Sequence, residues 1–328
     1  MTKILIVGFG SIGKRHMENI LAEKNMKIVI CTKRDDLKFK NKNIKIVNSL
    51  NDALKEKPTI GFITNETAYH IPIAIKLARE GLDLFIEKPL SNSTKGIKTL
   101  QKIVKEKKLI VQMGFHMRFH KCIIKIHELL QKKKVGRVIS GQVENASYLP
   151  DWHPYEDYRN GYAAKNRLGG GIVLTQIHEI DYLYWFFGNP KSIYSVTGKF
   201  SDLETSVDDY SSSVMKFKKN ITTEMHLDFF LGYEYKRCKI KGTKGIIFWN
   251  SVYNEVKFFD AKKKSWKTIL KLKKFERNDM YVDEIKYFMN CVKKRKKPMN
   301  SLDEGIDTMK IALNIIKSGK TKKVIDVK

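Results

Sequence analysis

The chain has 328 residues, of which 42% are hydrophobic and 30% are charged. This length allows two domains with separate cores, and the composition excludes a disordered or fibrous protein. No apolar stretch is long enough to span a bilayer, and the run at residues 4–7 is too short for the core of a signal peptide. We therefore expect a cytoplasmic protein that does not bind membranes.

The cysteines and the excess of lysine exclude further classes of protein. The four cysteines are scattered along the chain, which predicts neither a disulfide framework nor a metal site. The formal net charge of +28 allows two interpretations, an attraction to anionic partners or a lysine-rich solvated surface. The lysine runs at residues 132–134, 262–264 and 293–297 lie in predicted turns and helix ends, without a nucleic-acid-binding motif. We favour the solvated surface and expect no nucleic-acid partner.

Three glycines directly follow the first apolar run, Lys3–Val7, and a helical pattern begins immediately after them. Their spacing is G-x-G-x-x-G, in which the first glycine permits a tight turn and the second leaves room for phosphates. The third lets the helix pack closely on the strand, and the helix N-terminus faces the pyrophosphate. The alternative is a structural turn without a ligand. We predict a dinucleotide site in this turn, with Gly8, Gly10, Ser11, Ile12 and Gly13 as cofactor-binding residues.

The first 118 residues alternate strand and helix patterns, which is typical of a parallel sheet covered by helices. The predicted strands are 3–7, 27–32, 44–47, 59–64, 84–86 and 109–113. The predicted helices are 11–23, 50–55, 67–79 and 93–107. We therefore expect an α/β Rossmann domain over residues 1–118.

The pattern changes after residue 118. A helix up to Leu130 precedes a strand at 138–148, and a further helix is predicted over residues 175–187. Strand-like runs follow at 193–200, 210–217, 222–230, 235–241, 245–249 and 255–260, without helices between them. Two helices, 279–293 and 301–317, complete the chain. Residues 119–328 are thus predicted to be an α+β domain with a large, mainly antiparallel open sheet.

The end of the second predicted strand selects between NAD and NADP. An acidic residue there binds the ribose 2′-hydroxyl, whereas basic residues bind a 2′-phosphate. This chain has Thr32, Lys33 and Arg34 at that place, followed by two aspartates. A hydroxyl and two cations suit a phosphate, so we expect NADP to be preferred over NAD.

Three further motifs make the chain resemble the Gfo/Idh/MocA family of sugar and inositol dehydrogenases. The first is residues 63–70 (I-T-N-E-T-A-Y-H), which lead through a helix to Glu87-Lys88-Pro89. The second is Gly169–Gly171, followed by His178 and Asp181, and the third is the pair of C-terminal helices ending in Lys317-Ser318-Gly319. Residues 8–16 and 178–182 also look like a branch of the family associated with surface-polysaccharide sugars.

The resemblance implies hydride transfer between a sugar-type alcohol carbon and a nicotinamide. It implies Lys88 and His178 as catalytic residues, because the reaction needs a positive donor and a proton acceptor. A strained or cis peptide bond after Lys88 is implied as well. It also implies cofactor contacts from Thr64, Asn65, His70, Glu87 and Lys88. The alternative to catalysis is that Lys88 is a solvated surface lysine and that His178 is a buried helix-cap or core histidine.

One departure from the family pattern concerns the aspartate that usually precedes the histidine by three or four residues. Leu174 and Thr175 occupy those positions here. Two substitutes remain open. Asp181, three residues beyond His178 on a helix, would orient the imidazole, or Thr175 would contact a substrate hydroxyl.

An aromatic and polar segment, residues 148–167, is the predicted substrate-reading region. Its aromatic faces suit sugar C–H surfaces and its cations suit a carboxylate or diphosphate. The predicted contacts are Trp152, Tyr158, Arg159 and Lys165, and Arg118 and His120 are expected beside the same crevice. The alternative is an ordered loop that packs or forms an oligomer contact.

The sequence therefore favours an NAD(P)-dependent oxidoreductase that acts on a sugar, sugar acid or nucleotide sugar, with a role in surface-polysaccharide sugar biosynthesis as one possibility. The alternative is a catalytically silent dinucleotide-binding sensor or scaffold, motivated by the missing aspartate. We expect a homodimer or homotetramer formed through the C-terminal sheet. This surface is predicted from four aromatic residues, Trp249, Tyr253, Phe258 and Phe259.

Overall fold

The computed structural model describes residues 2–327, and its N-terminal part alternates strands with helices. The strands are β1 (Thr2–Val7), β2 (Met26–Cys31), β3 (Ile44–Val47), β4 (Ile60–Ile63), β5 (Asp83–Glu87) and β6 (Val111–Gly114). The helices between them are α1 (Ser11–Leu21), α2 (Leu50–Lys55), α3 (His70–Arg79) and α4 (Ile97–Glu106). This order confirms the predicted alternation.

These strands form one parallel sheet in the order β3-β2-β1-β4-β5-β6. The central strands β1, β4 and β5 are mainly apolar and buried, as expected where helices cover both faces of a parallel sheet. The chain order reverses between β1 and β4, which opens a crevice at the carboxyl ends of the strands. The predicted Rossmann fold is confirmed.

A second sheet follows, mixed but mainly antiparallel. Its strands are β7 (Val138–Tyr148), β8 (Ser192–Gly198), β9 (Tyr210–Lys216), β10 (Thr222–Asp228), β11 (Phe230–Gly242), β12 (Gly245–Asn250), β13 (Glu255–Asp260), β14 (Ser265–Lys271) and β15 (Ile325–Asp326). Its order is β14-β13-β12-β11-β7-β10-β9-β8-β15, and the β7–β10 pair is parallel. The helices of this region are α5 (Lys121–Gln131), α6 (Ile172–Thr175) and α7 (His178–Phe187). The predicted antiparallel α+β architecture is confirmed, whereas β14 and β15 were not predicted.

Two helices, α8 (Arg277–Lys294) and α9 (Leu302–Thr321), precede β15. The chain divides into two compact units, one comprising the residues up to His116 with Asn278–Ile306, the other Met117–Arg277 with the residues from Asp307. This division differs from a single boundary at residue 118. Helix α8 belongs to the first unit because its residues Ile285 and Phe288 lie in the same apolar cluster as Phe62 and Phe85. No helix within residues 2–327 is both long and apolar enough to cross a bilayer.

Two of the four aromatic residues predicted to form the self-association surface are buried, which corrects that prediction. Trp249 is 1% exposed and Phe258 is 4% exposed, so both belong to the core of the second unit. Because side chains alternate along a strand, their neighbours on β12 and β13 face the other side, where Phe259 packs on Trp266 at 5.3 Å between ring centroids. Tyr253 lies exposed in the turn before β13.

Candidate active site

The predicted cofactor residues of the first unit meet at the carboxyl end of the parallel sheet. The glycine turn follows β1, Thr64 and Asn65 follow β4, and Glu87 ends β5. The basic loop at residues 32–34 follows β2. The topology therefore gathers these residues at the edge where dinucleotides bind in open α/β sheets.

The glycine turn itself fits a pyrophosphate. Gly8 has φ +91°, and a Cβ there would lie 2.6 Å from the backbone of Asn65. A Cβ at Gly13 would lie 2.5 Å from the carbonyl oxygen of Gly8, whereas one at Gly10 would meet no described atom within 4 Å. Helix α1 begins at Ser11 with Gly10 as its N-cap, and no described side chain caps it. The second glycine thus combines open space for a phosphate with the backbone N–H groups at the N-terminus of α1.

Thr64 and His70, both predicted as cofactor contacts, are buried and bind the surrounding loops. The Thr64 hydroxyl donates to the carbonyl oxygen of Gly8 at 2.7 Å. The ring nitrogens of His70 lie 2.8 Å from the carbonyl oxygens of Pro89 and Asn65. Burial lowers the pKa of His70. These two side chains connect the loops that follow β1, β4 and β5. A direct contact of either one with the cofactor stays a prediction.

Lys88 leaves the end of β5 through a buried turn. The Lys88–Pro89 peptide bond is cis, as the resemblance implies. The backbone N–H of Lys88 donates to Glu87 Oε2 at 3.1 Å, and Glu87 Oε1 lies 2.7 Å from Nε2 of His16. The Lys88 side chain is half-buried, whereas Glu87 is buried. His16, on α1, was missed by the sequence analysis, because the only signal in the sequence is its position three residues after Gly13.

The basic loop after β2 contains an internal ion pair. Arg34 Nε donates to Asp36 Oδ1 at 2.9 Å, and Arg34 Nη1 donates to the carbonyl oxygen of Phe9 in the glycine turn at 3.4 Å. The hydrogen bond from Arg34 lowers the pKa of Asp36. Thr32 Oγ1 accepts from the backbone N–H of Arg34 at 3.3 Å, and Lys33 is exposed. Arg34 thus faces the cofactor turn with a carboxylate bound to it, a partner that the sequence analysis did not assign.

In the second unit, the predicted helix over residues 175–187 is divided in two. Thr175 ends α6 and His178 begins α7, with non-helical φ −97° and ψ 38° at Gln176. Asp208 fixes the start of α6, because its Oδ2 accepts from the backbone N–H of Val173 at 3.1 Å. Gly171, at φ +107°, precedes this helix. His178 is consequently the first residue of α7 and is buried.

Arg118 and Asp181, both predicted to contact substrate, form a buried ion pair with each other. The Arg118 guanidinium donates to the Asp181 carboxylate at 2.9 Å and 2.7 Å, and both side chains are 0% exposed. Thr308 Oγ1 lies 3.4 Å from Asp181 Oδ1, and the guanidinium lies 5.5 Å from the Trp185 ring centroid. The Asp181 carboxylate thus joins α7 to the chain before α5. Its predicted role toward the His178 imidazole stays untested.

His120 was also expected beside the crevice, but it is buried. Its Nδ1 accepts the backbone N–H of Cys122 at 3.1 Å and so caps α5. Its ring packs against Trp249 and Phe275, and burial lowers its pKa to about 4. The structure therefore gives His120 a capping role.

A second carboxylate on α7, Glu179, was given no role by the sequence analysis. Glu179 directly follows His178 and is fully buried, and Lys236 Nζ from β11 lies 3.9 Å from its Oε1. Burial, together with this carboxylate, raises the pKa of Tyr182 well above its usual value. The chain next to His178 therefore carries a buried carboxyl group beside a lysine, whereas Leu174 and Thr175 supply no carboxyl group.

The predicted substrate-reading segment consists of short turns that contact one another and the nearby residues Ser147 and Glu204. Trp152 Nε1 donates to Ser147 Oγ at 3.1 Å, and the Tyr158 hydroxyl accepts from the backbone N–H of Glu204 at 3.1 Å. Arg159 donates to the carboxylates of Asp157 and Glu204 at 2.9 Å and 3.2 Å, and Lys165 Nζ lies 3.3 Å from Asn160 Oδ1. The alternative of an ordered loop accounts for these contacts, and substrate binding by this segment stays a prediction.

Comparisons with known proteins agree with these two units. Residues 2–115 match the family model of an oxidoreductase family with an NAD-binding Rossmann fold, and residues 123–248 match the GFO/IDH/MocA C-terminal domain. A myo-inositol 2-dehydrogenase of Thermotoga maritima is 24% identical over 321 residues, with 92% of each chain covered. A scyllo-inositol 2-dehydrogenase (NAD(+)) of Bacillus subtilis is 23% identical, with 90% of this chain and 87% of the relative covered.

Solved structures share the fold over the whole chain. A myo-inositol 2-dehydrogenase of Lactobacillus plantarum superposes with a TM-score of 0.83 at 20% identity, covering 100% of this chain and 99% of that one. A levoglucosan dehydrogenase in complex with NADH gives a TM-score of 0.88 at 16% identity, with the same coverage. With both domains matched in order, the chain belongs to the Gfo/Idh/MocA family and is an oxidoreductase with an NAD-binding Rossmann domain.

Proposed function

We propose that this protein transfers hydride between a nicotinamide dinucleotide and a secondary alcohol of a sugar or cyclic polyol. The observation that carries the proposal is Lys88, which is half-buried at the carboxyl end of β5 in the unit that bears the glycine turn. The names of its relatives, inositol and levoglucosan dehydrogenases, support a polyhydroxylated ring as substrate.

The chemistry assigns a different role to each catalytic residue. When bound, the nicotinamide accepts the hydride from the alcohol carbon or returns it in the reverse direction. Lys88 supplies a positive donor to the substrate oxygen, whose negative charge increases as the hydride leaves. His178 accepts the hydroxyl proton, because a neutral imidazole has a ring nitrogen that can take up a proton.

Among sugar-type alcohols, we favour uncharged substrates over sugar acids and nucleotide sugars. Arg159, the cation expected to hold a carboxylate or diphosphate, already binds Asp157 and Glu204. An anionic substrate would have to displace two carboxylates from it. A role in surface-polysaccharide sugar biosynthesis depends on such nucleotide sugars and therefore stays a secondary proposal.

For the cofactor, we propose a modest preference for NADP over NAD. Lys33 and Arg34 supply two cations beside the glycine turn, which suits a 2′-phosphate. Asp36 opposes this preference, because its carboxylate competes with the phosphate for the Arg34 guanidinium. Titration of the purified protein with NADPH and NADH, followed by nicotinamide fluorescence, tests the order of the two affinities.

A panel of substrates tests the reaction. Nicotinamide reduction would be followed with myo-inositol, scyllo-inositol, levoglucosan, glucuronic acid and a UDP-sugar, each with NAD+ and NADP+. We expect turnover with one or more of the uncharged compounds. Turnover with the charged compounds alone would contradict the substrate class and return weight to the nucleotide-sugar interpretation.

The second candidate function is a catalytically silent dinucleotide-binding sensor or scaffold. It is favoured by the buried Leu174 and Thr175, which stand where the family usually has an aspartate. Tight cofactor binding without turnover on the panel is the outcome that this candidate predicts. Self-association through the second sheet, as a dimer or tetramer, is compatible with either function.

A further inference from the structure

A buried carboxylate in the first unit contacts both the helix after the glycine turn and the peptide of Lys88. Its two oxygens have separate partners: Oε1 of Glu87 lies 2.7 Å from His16 Nε2, and Oε2 accepts the Lys88 N–H at 3.1 Å. His16 lies on α1, three residues beyond Gly13. One side chain thus connects the helix of the pyrophosphate turn with the backbone of the proposed catalytic lysine.

The surroundings of this pair are apolar and filled. His16 is 0% exposed and Glu87 is 5% exposed. The imidazole packs against the rings of Phe85, Phe62 and Tyr281, with centroid distances of 5.0, 5.6 and 6.2 Å. A Cβ at Gly114 would lie 3.0 Å from the Glu87 carboxylate, so this side is closed as well.

Stability alone does not explain a polar pair in such a place. Burying a carboxylate carries a desolvation cost, and apolar side chains of the same volume often stabilise a core at least as well. The pair does, however, restrict geometry. With one oxygen on His16 and the other on the Lys88 N–H, the carboxylate plane cannot rotate without losing a hydrogen bond.

We propose that His16 is a positioning residue, which acts through Glu87 to hold Lys88 in the orientation that hydride transfer requires. Without the imidazole donor, the Glu87 carboxylate is left buried with an unpaired oxygen, and it reorients away from the Lys88 N–H. The Lys88 backbone and the ammonium group it carries then lose their fixed direction. The inference rests on the proposed function in one respect, namely that Lys88 is its catalytic lysine.

Site-resolved chemical labelling tests the positioning without any substrate. Each variant would be treated with acetic anhydride, with and without saturating NADH, and the rate at every lysine measured by peptide mass spectrometry. His16→Phe keeps the aromatic volume but removes the hydrogen bond, whereas His16→Gln keeps an N–H donor near the position of Nε2. The other lysines serve as internal references.

We expect His16→Phe to change the labelling rate of Lys88 severalfold and to weaken its protection by NADH, while the other lysines keep their rates. His16→Gln restores the wild-type rate at Lys88. The matched control is Phe288→Leu, a substitution in the same aromatic cluster that packs on Phe62 and Phe85. It lowers stability without a specific change at Lys88. If His16→Phe does not fold, Glu87→Met makes the same comparison, because a thioether keeps the length of the side chain but is only a weak acceptor and cannot replace the two hydrogen bonds.

An unchanged Lys88 rate in the variants, or a change shared by all lysines of the first unit, would overturn the inference. Steady-state kinetics on the wild-type substrate add a second readout. There, His16→Phe is expected to lower kcat about a hundredfold, as misplacement of a catalytic group by 1 Å does, with little change in the KM for the cofactor. A wild-type protein without turnover on the whole panel contradicts the proposed function instead, and the labelling result still decides the role of His16.

Discussion

At the scale of single residues, two cations that the sequence analysis assigned to the site have opposite environments. Lys88 is half-buried at a strand end, whereas Arg118 is fully buried and binds the Asp181 carboxylate through two donors. A guanidinium held in this bidentate way is oriented by the protein rather than by a ligand. We therefore interpret Arg118 and Asp181 as a brace for α7, the helix that begins with His178, and Lys88 as the reacting cation.

The role of Lys88 leads to the first prediction. Lys88→Ala removes the positive donor to the substrate oxygen, so turnover is expected to fall about a hundredfold or more, while cofactor affinity changes little. Steady-state kinetics and nicotinamide fluorescence measure the two effects separately. Lys102→Ala, an exposed lysine on α4, is the matched control. Undiminished turnover of Lys88→Ala would remove this residue from the mechanism.

The basic loop after β2 leads to the second prediction. Replacing both Lys33 and Arg34 by alanine removes two cations from the 2′-phosphate, so NADPH affinity is expected to fall about tenfold or more, with a smaller loss for NADH. Lys38→Ala with Lys40→Ala, two exposed lysines of the same loop, control for the general loss of charge. Equal losses for both cofactors would refute the preference for NADP.

Part of the candidate site could be predicted from single residues and part could not. The glycine turn and the Glu87-Lys88-Pro89 element are contiguous motifs, so local spacing is enough to find them. The contact between His16 and Glu87 joins residues 71 positions apart. Glu179 and Lys236 likewise meet only because β11 passes beside α7. Such pairs depend on strand order and register, which periodicity does not determine.

At the scale of elements, the predictions succeeded where local pattern and tertiary packing agree. Strands β3, β7 and β13 and helix α2 have the predicted bounds. Helix α6, which begins at Ile172, before the predicted helix start at residue 175, was missed because Asp208, which fixes its start, lies far along the chain. β14 was missed because its sequence, S-W-K-T-I-L-K, is mostly exposed and lacks a buried face.

The start of α6 gives the third prediction. Gly171→Ala is expected to destabilise the protein by about 2 kcal/mol or more, because alanine is strained at positive φ. In addition, its Cβ would lie 2.5 Å from Asp208 Oδ1. Chemical denaturation measures the loss. Gly232→Ala is the control, since a Cβ there meets no described atom within 4 Å, and similar stabilities of the two variants would contradict the argument.

At the scale of the whole molecule, part of the net charge of +28 lies at one edge of the second sheet. β14 is an edge strand, and it carries Lys267 and Lys271 beside the lysine turn at residues 262–264. Lysines on an exposed edge oppose pairing with the edge of another chain. This placement favours the solvated surface over a nucleic-acid interface, and a salt titration with DNA would test it, since phosphate binding weakens steeply with salt.

The open face of the second sheet leads to the last prediction, which concerns self-association. Tyr194, Val196 and Val214 are 43%, 46% and 45% exposed, and Tyr194 pairs with Val214 across β8 and β9. Exposed apolar side chains in register form a continuous patch, which suits an isologous contact between two copies. Val214→Lys places a charge in this patch and is expected to convert the oligomer to a monomer, as measured by light scattering.

Val252→Lys is the matched control for that experiment, because Val252 is similarly exposed but lies in the turn between β12 and β13. Two copies that each carry a formal charge of +28 repel one another, and salt screens this repulsion over about 10 Å at 0.1 M. Association of the wild type should therefore strengthen as salt is raised, since the apolar contact persists while the repulsion weakens. A wild type that is monomeric at every salt concentration would exclude this face as the interface. A Val214→Lys variant whose particle mass in light scattering equals that of the wild-type oligomer would exclude it as well.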